Sequence, residues 1–159
     1  MNPLLFTIFL AFLPISELRG AIPYALAKGY PLYFAYPLCV AVNAMVAPLG
    51  FLFLSTVHRW MNRFRWYHRM INPLIERARH KVDKKVRKYG YWGIMLFVAI
   101  PLPVTGAYTG TLGAWILGLG KRRTIAAVFA GVVIAGIIVS TVSVLGIGAF
   151  SFFTKSVSQ

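Results

Sequence analysis

The sequence predicts an all-α integral membrane protein: two inverted repeats, each a re-entrant helical hairpin followed by a transmembrane helix, joined by a basic cytoplasmic amphipathic segment. Three observations carry that expectation. Hydrophobic residues fill 58% of the 159 positions and charged residues only 13%, about half the charged share of a water-soluble domain. Long apolar runs, with a mean hydropathy of +0.70, stand where the charge is missing. The net charge of +14 is also concentrated: eleven of the 17 Lys and Arg fall between Arg59 and Lys88, and three more form Lys121-Arg122-Arg123. A bilayer solvent explains the first two observations, and the bias of cytoplasmic loops toward Lys and Arg explains the third. Soluble enzyme, disulfide scaffold and disordered tail are disfavoured together. Cys39, alone in an apolar run, can form no intrachain disulfide. The N-terminus lacks a basic leader and a small-residue cleavage site, and Pro14, Glu17 and Arg19 follow its apolar stretch, so it is expected to stay in the mature protein.

Four apolar segments follow in order. Leu4 to Leu13 ends at Pro14 and has half the length of about 20 residues that a span requires. Pro31 to Val57 is long enough, with interruptions at Asn43, Pro48 and Gly50. Tyr91 to Leu119 is broken by Pro101, Pro103, Gly106, Gly110, Gly113 and Gly118. Thr124 to Phe153 runs without charge until Lys155, and Ala130, Gly131, Ala135 and Gly136 offer close helix contact. The second and fourth segments are expected to span.

The first and third share an order of features. Pro14-Ile15-Ser16-Glu17-Leu18-Arg19-Gly20-Ala21-Ile22-Pro23 precedes Lys28-Gly29 and a span. Pro101-Leu102-Pro103-Val104-Thr105-Gly106-Ala107-Tyr108-Thr109-Gly110 precedes Gly120-Lys121 and a span. Were the third segment to cross the bilayer from the Arg59–Lys88 side, Lys121-Arg122-Arg123 would lie outside. A hairpin that enters and leaves on one face keeps both basic clusters in the cytoplasm. The chain then reads as a single membrane domain over 1–159: repeat one over 1–57, a linker over 58–90, repeat two over 91–155. It is a multi-pass protein of the cell membrane with broken helices meeting near the midplane, a transporter layout. Four kinked spanning helices are the plainer alternative.

In the linker, Arg59-Trp60-Met61-Asn62-Arg63-Phe64-Arg65-Trp66-Tyr67-His68-Arg69 interleaves cations with aromatics, as interfacial segments do. From Pro73, Leu74, Ala78, Val82 and Val86 recur every four residues, and Glu76–His80, Arg79–Asp83 and Asp83–Arg87 are supporting i,i+4 pairs. Membrane lipids are the expected partner, as a surface for an amphipathic helix or as the solvent of a topology anchor. Nucleic acid is not expected, because membrane topology already accounts for the charge.

Chemistry is sought where charge is costly. Glu17 and Arg19 are the only charges between Met1 and Ala27, and intramembrane charge is a functional signal by default. Arg19 with Gly20 offers a guanidinium fork and backbone N–H groups to a phosphate or carboxylate. Desolvation favours the neutral form of Glu17, letting it carry a proton, while Arg19 opposes this; a purely structural ion pair stays open. At the second tip Pro101, Pro103, Thr105 and Gly106 supply a carbonyl-rich turn and a hydroxyl. Asn43 is a candidate for a cavity wall or, more simply, for a helix–helix hydrogen bond. His58, His68 and His80 lack ligand spacing, so no metal or other cofactor is expected. Ser16 beside Glu17 has no paired histidine, so no enzyme activity is expected.

Through Glu17-Leu18-Arg19-Gly20-Ala21-Ile22-Pro23 and Pro101 to Gly110, the sequence resembles the small multidrug export family, itself similar to the DedA (SNARE-associated, VTT-domain) membrane proteins. The resemblance implies paired re-entrant hairpins in inverted repeat, a homodimer, and movement of lipids such as polyprenyl-phosphate carriers with proton coupling. Glu17 and Arg19 match the acidic and basic tip residues of DedA-like proteins; the second tip departs from them, carrying Thr105 and no charge. The leading expectation is a transporter for an anionic lipid-linked or phosphate-bearing substrate, with Arg19 as anion anchor and Glu17 as proton carrier. A proton-coupled exporter of small organic cations and a non-transporting membrane scaffold are the alternatives.

Overall fold

The computed structural model describes residues 2–61, 63, 64, 69, 73, 84–102 and 106–157. Every regular element among them is an α-helix: α1 Pro3–Phe12, α2 Glu17–Ala27, α3 Leu32–Ala44, α4 Val46–Met61, α5 Lys84–Ala99, α6 Ala107–Ile116 and α7 Lys121–Val157. The amphipathic run expected through Leu74, Ala78 and Val82, with its ion pairs at Glu76, Arg79 and Asp83, lies outside the described residues, as do Pro103 and Thr105.

Two stretches are long and apolar enough to cross a membrane, Leu32–Met61 and Lys121–Gly146, in the second and fourth expected segments. The first is not one uninterrupted helix. It steps at Met45, between α3 and α4. Pro48 explains the position: it has no N–H for the Ala44 carbonyl, and its ring crowds that same carbonyl. The first segment folds as α1, with α2 following a break at Pro14, and the third folds as the apolar part of α5 and α6 around a second break.

The chain divides into two compact units, Met1–Asn43 with Val133–Gln159, and Ala44–Val132. The first unit is built on α1 and α2. Asn2 caps α1 by accepting from the Leu4 amide at 3.1 Å, and Pro3 occupies the first turn, where no N–H is missed. Leu13, forced out of the helical region by Pro14, is extended at φ −69°, ψ 132°. The chain turns back through residues 13–16, and α2 packs antiparallel to α1, with the Phe6 and Tyr24 rings 4.9 Å apart. In the same unit the Tyr36 hydroxyl donates to the Val133 carbonyl at 3.1 Å, and its ring lies against Gly136.

The second unit packs α4, α5, α6 and the start of α7. α5 and α6 form another antiparallel hairpin, and a Cβ on Gly110 would collide with Val98. The two ends of this hairpin meet: the Tyr91 hydroxyl accepts from the Gly120 amide at 3.0 Å. Phe51, Ala114 and Leu119 form a small core with Tyr91, Ile94, Trp115 and Leu117 around it.

Both hairpins end alike. At Gly29 (φ 84°) the Gly29 amide bonds Leu26 and the Tyr30 amide bonds Ala25; at Gly118 (φ 68°) the Gly118 amide bonds Trp115 and the Leu119 amide bonds Ala114. Each is a Schellman cap, whose left-handed position suits glycine. In each case the next helix starts three residues later, at Leu32 and at Lys121. The local structures therefore pair Gly29 with Gly118, not Lys28-Gly29 with Gly120-Lys121 as the sequence order suggests.

Burial also has a membrane-like bias. Alanine and valine dominate the buried hydrophobics, while Leu5, Phe9, Leu52, Phe53, Ile137 and Leu145 face outward. In lipid, burying a large apolar side chain gains little, and close approach of small residues is what holds helices together. Gly131 makes such a contact against backbone in the second unit: a Cβ there would stand 2.7 Å from the Met95 carbonyl oxygen and 2.8 Å from the Val98 Cβ. Gly131→Ala is thus expected to lower stability by about 1–3 kcal/mol. Gly113→Ala, whose Cβ meets nothing, should be neutral or stabilising by up to about 1 kcal/mol. Thermal unfolding of both variants in detergent checks the contrast.

Candidate functional site: the tip of the first hairpin

The end of α1 exposes the usual problem of a helix terminus, because its last carbonyls have no amide ahead of them. The chain resolves it locally and with one distant side chain. The Leu13 amide bonds the Phe9 and Leu10 carbonyls at 3.0 and 3.3 Å, and the Glu17 amide bonds the Leu13 carbonyl at 2.9 Å. The Ala11 carbonyl accepts from the Asn43 side-chain Nδ2 at 3.3 Å, brought in by α3. Asn43 is thus the helix-bridging hydrogen bond that sequence allows, made at the tip itself. It is buried, and its Oδ1 has no hydrogen-bond partner.

Glu17 opens α2 with an unusual backbone. Its φ is +46°, the one non-glycine residue with positive φ among those described. The left-handed region costs an L residue about 1–3 kcal/mol, so the surrounding turn imposes it. Its side chain is buried, 9% exposed, and its Oε2 lies 3.9 Å from the Arg19 guanidinium, whose side chain is 24% exposed. At that separation the pair is an electrostatic contact rather than a tight fork. The carboxylate also stands at the positive end of α2. Pro23 withholds the amide that would otherwise close onto the Arg19 carbonyl. Gly20 is held close to Ser16, and a Cβ there would overlap the Ser16 hydroxyl.

Of the expected site residues, Glu17, Arg19, Gly20 and Asn43 lie together in the first unit around this turn. Pro101 and Gly106 belong to the break between α5 and α6 in the second unit. Gly106 precedes α6, and its carbonyl accepts from the Gly110 amide at 2.9 Å and from the Thr109 hydroxyl at 3.3 Å. Sequence reading passed over Ser140, a buried hydroxyl in the first unit with no hydrogen-bond partner. Its signal was a small run of hydroxyls, Ser140, Thr141 and Ser143, inside an Ile/Val stretch. Among the described residues, no three His, Cys, Asp or Glu side chains group to hold a metal ion.

Residues 17–138, from Glu17 into α7, match the family model described as "Putative small multi-drug export protein". The chain belongs to this export family. The family and the two apolar helices point to a transmembrane transporter. No curated protein and no solved structure matches the chain, and nothing in the family match supports the relation to the DedA proteins.

Two outcomes test the geometry of this tip. Alanine normally beats glycine in a helix by about 0.5–1 kcal/mol, but at Glu17 the left-handed backbone reverses the order. Glu17→Gly should be more stable than Glu17→Ala by about 1 kcal/mol. Asn43→Val leaves the Ala11 carbonyl without its donor and should cost about 1–3 kcal/mol. Chemical unfolding in mild detergent, followed by circular dichroism, measures both.

Proposed function

We propose that the protein is a proton-coupled membrane exporter whose coupling element is the Glu17–Arg19 pair and whose cargo is a small organic cation. The observation that carries this reading is Glu17: a buried carboxylate, 3.9 Å from a cation, at a strained break between two short helices. A carboxylate in that setting can exchange a proton for a cationic cargo. The family description, which names drug export, favours small organic cargo over a lipid-linked one.

The lengths of the helices suit re-entrant hairpins. α1 has 10 residues and α2 has 11, and the apolar arms Gly90–Ala99 and Ala107–Ile116 are each of similar length. At 1.5 Å per residue, each arm reaches about 15 Å, or half of a hydrocarbon core about 30 Å thick. The Tyr91–Gly120 contact supports the return of the second hairpin to the face it entered. With the basic linker and Lys121-Arg122-Arg123 in the cytoplasm, residues 1–57 and 91–155 read as inverted repeats, each a hairpin and a spanning helix.

A second reading has its own observation. The Arg19 side chain is more exposed than that of Glu17 and sits in the first turn of α2, where the helix dipole favours anions. This suits a phosphate-bearing, lipid-linked cargo anchored by Arg19.

Transport by reconstituted protein separates the two. Under an imposed pH gradient, proteoliposomes should move a lipophilic cation, and Glu17→Gln should reduce this to the level of empty liposomes with folding intact. Phosphate-lipid binding that disappears in Arg19→Ala, with no cation flux in the wild type, would establish the second reading instead. Normal function of both tip variants would overturn both and leave a scaffold acting through the basic linker. For topology, a reporter fused after Arg123 is expected in the cytoplasm, and an outside location would overturn the second re-entrant hairpin.

A further inference from the structure

One end of the second unit gathers the ends of α4 and α6, the start of α7 and the middle of α5. The His58 ring, in the last turn of α4, meets the Trp115 ring at the end of α6 edge-on, with centroids 5.1 Å apart. Tyr91, near the start of the apolar part of α5, takes the amide of Gly120, which precedes α7. Leu119 and Trp115 pack with Tyr91 around Phe51. These contacts bring both basic regions to the same end of the unit.

What emerges from that end is exposed and of one sign. Arg59, Trp60, Arg63 and Phe64 continue from α4, and Lys121 to Arg123 open α7; all are exposed. No acidic side chain is among the described residues of this unit. Trp60 is 62% exposed and Phe64 54%, and their rings pair edge-on at 5.5 Å. Two large aromatics held against each other in the open, between guanidinium groups and beside an apolar span, call for a partner with negative charge above and an apolar layer beneath. A nucleic acid supplies the charge without that layer. An anionic bilayer surface supplies both, with phosphate for the guanidinium forks and the region beneath the headgroups for indole and phenyl rings.

We infer that this end of the unit is a binding surface for anionic phospholipid headgroups, formed jointly by the end of α4 and the start of α7. The inference rests on the membrane location of the chain and is independent of what the hairpin tips transport. The surface selects the lipid neighbours of the protein: anionic lipids are retained there in preference to zwitterionic ones.

The test is native mass spectrometry of the full chain released from bilayers holding equal amounts of phosphatidylglycerol and phosphatidylcholine. The wild type should retain several times more phosphatidylglycerol, and the excess should shrink as salt is raised. Replacing Arg59, Arg63 and Lys121 to Arg123 together by Gln should abolish the excess, while Lys28→Gln, in the other unit, should leave it intact. Should the five-site variant fail to fold, the wild type still decides. Equal retention of the two lipids overturns the inference, as does retention of an RNA oligonucleotide with no lipid preference. Because lipid retention is read without transport, a failed flux assay leaves this result standing.

Discussion

A helix broken away from water must find a partner for every backbone amide and carbonyl it frees, and that requirement shapes this molecule more than any other. In hydrocarbon an unsatisfied peptide group costs several kcal/mol, so a break survives only where the protein itself supplies the missing bonds. The first hairpin meets the requirement with the Leu13 and Glu17 amides and with the Asn43 amide from a neighbouring helix. Both hairpins end in a glycine-centred cap that satisfies two carbonyls at once. The strain at Glu17 follows from the same demand. Its amide must point back to Leu13, and the short turn after Pro14 reaches that geometry with a left-handed residue.

The second constraint is distance. Apolar burial between helices is weak where the solvent is itself apolar, so helices hold by approaching closely. Gly131 against Met95 and Val98, and Gly136 against Tyr36 and Val40, are the points where side-chain absence is used. The alanine-rich interior extends that device through both units. The tip thus rests on a scaffold whose spacing leaves little room for added atoms.

Much of this was legible in the sequence, and the exceptions have physical causes. Apolar length located the two long helices, and the Pro and Gly clusters located both breaks, because those signals are local. Gly131 and Gly136 were legible as contact points since small residues stand out in an Ile/Val run. Pro48 was visible as an interruption of the second segment, but its effect falls one turn earlier, at the Ala44 carbonyl, so the step comes at Met45. The register of the two similar halves was misread at the second copy. Gly118 and Gly120 are both candidates there, and only hydrogen bonding shows that Gly118 caps the helix. At the tip, residue identity marked Glu17, Arg19 and Asn43, but the carbonyl that Asn43 serves, 32 positions away, is a tertiary fact. So is the positive φ at Glu17, where no glycine or asparagine announces it.

The three-residue step from each capping glycine to the next helix also sets rotational phase. Each residue of an α-helix turns the next by about 100°, so one residue inserted between Gly118 and Lys121 and taken up into the first turn of α7 would swing the helix by that angle. Gly131 would leave the Met95 carbonyl and Ala130 would turn onto its face, bringing a methyl group for which there is no room. Connections on a protein surface usually absorb insertions and deletions over evolutionary time; these two are rulers, and their length should drift far less than the identity of the residues within them.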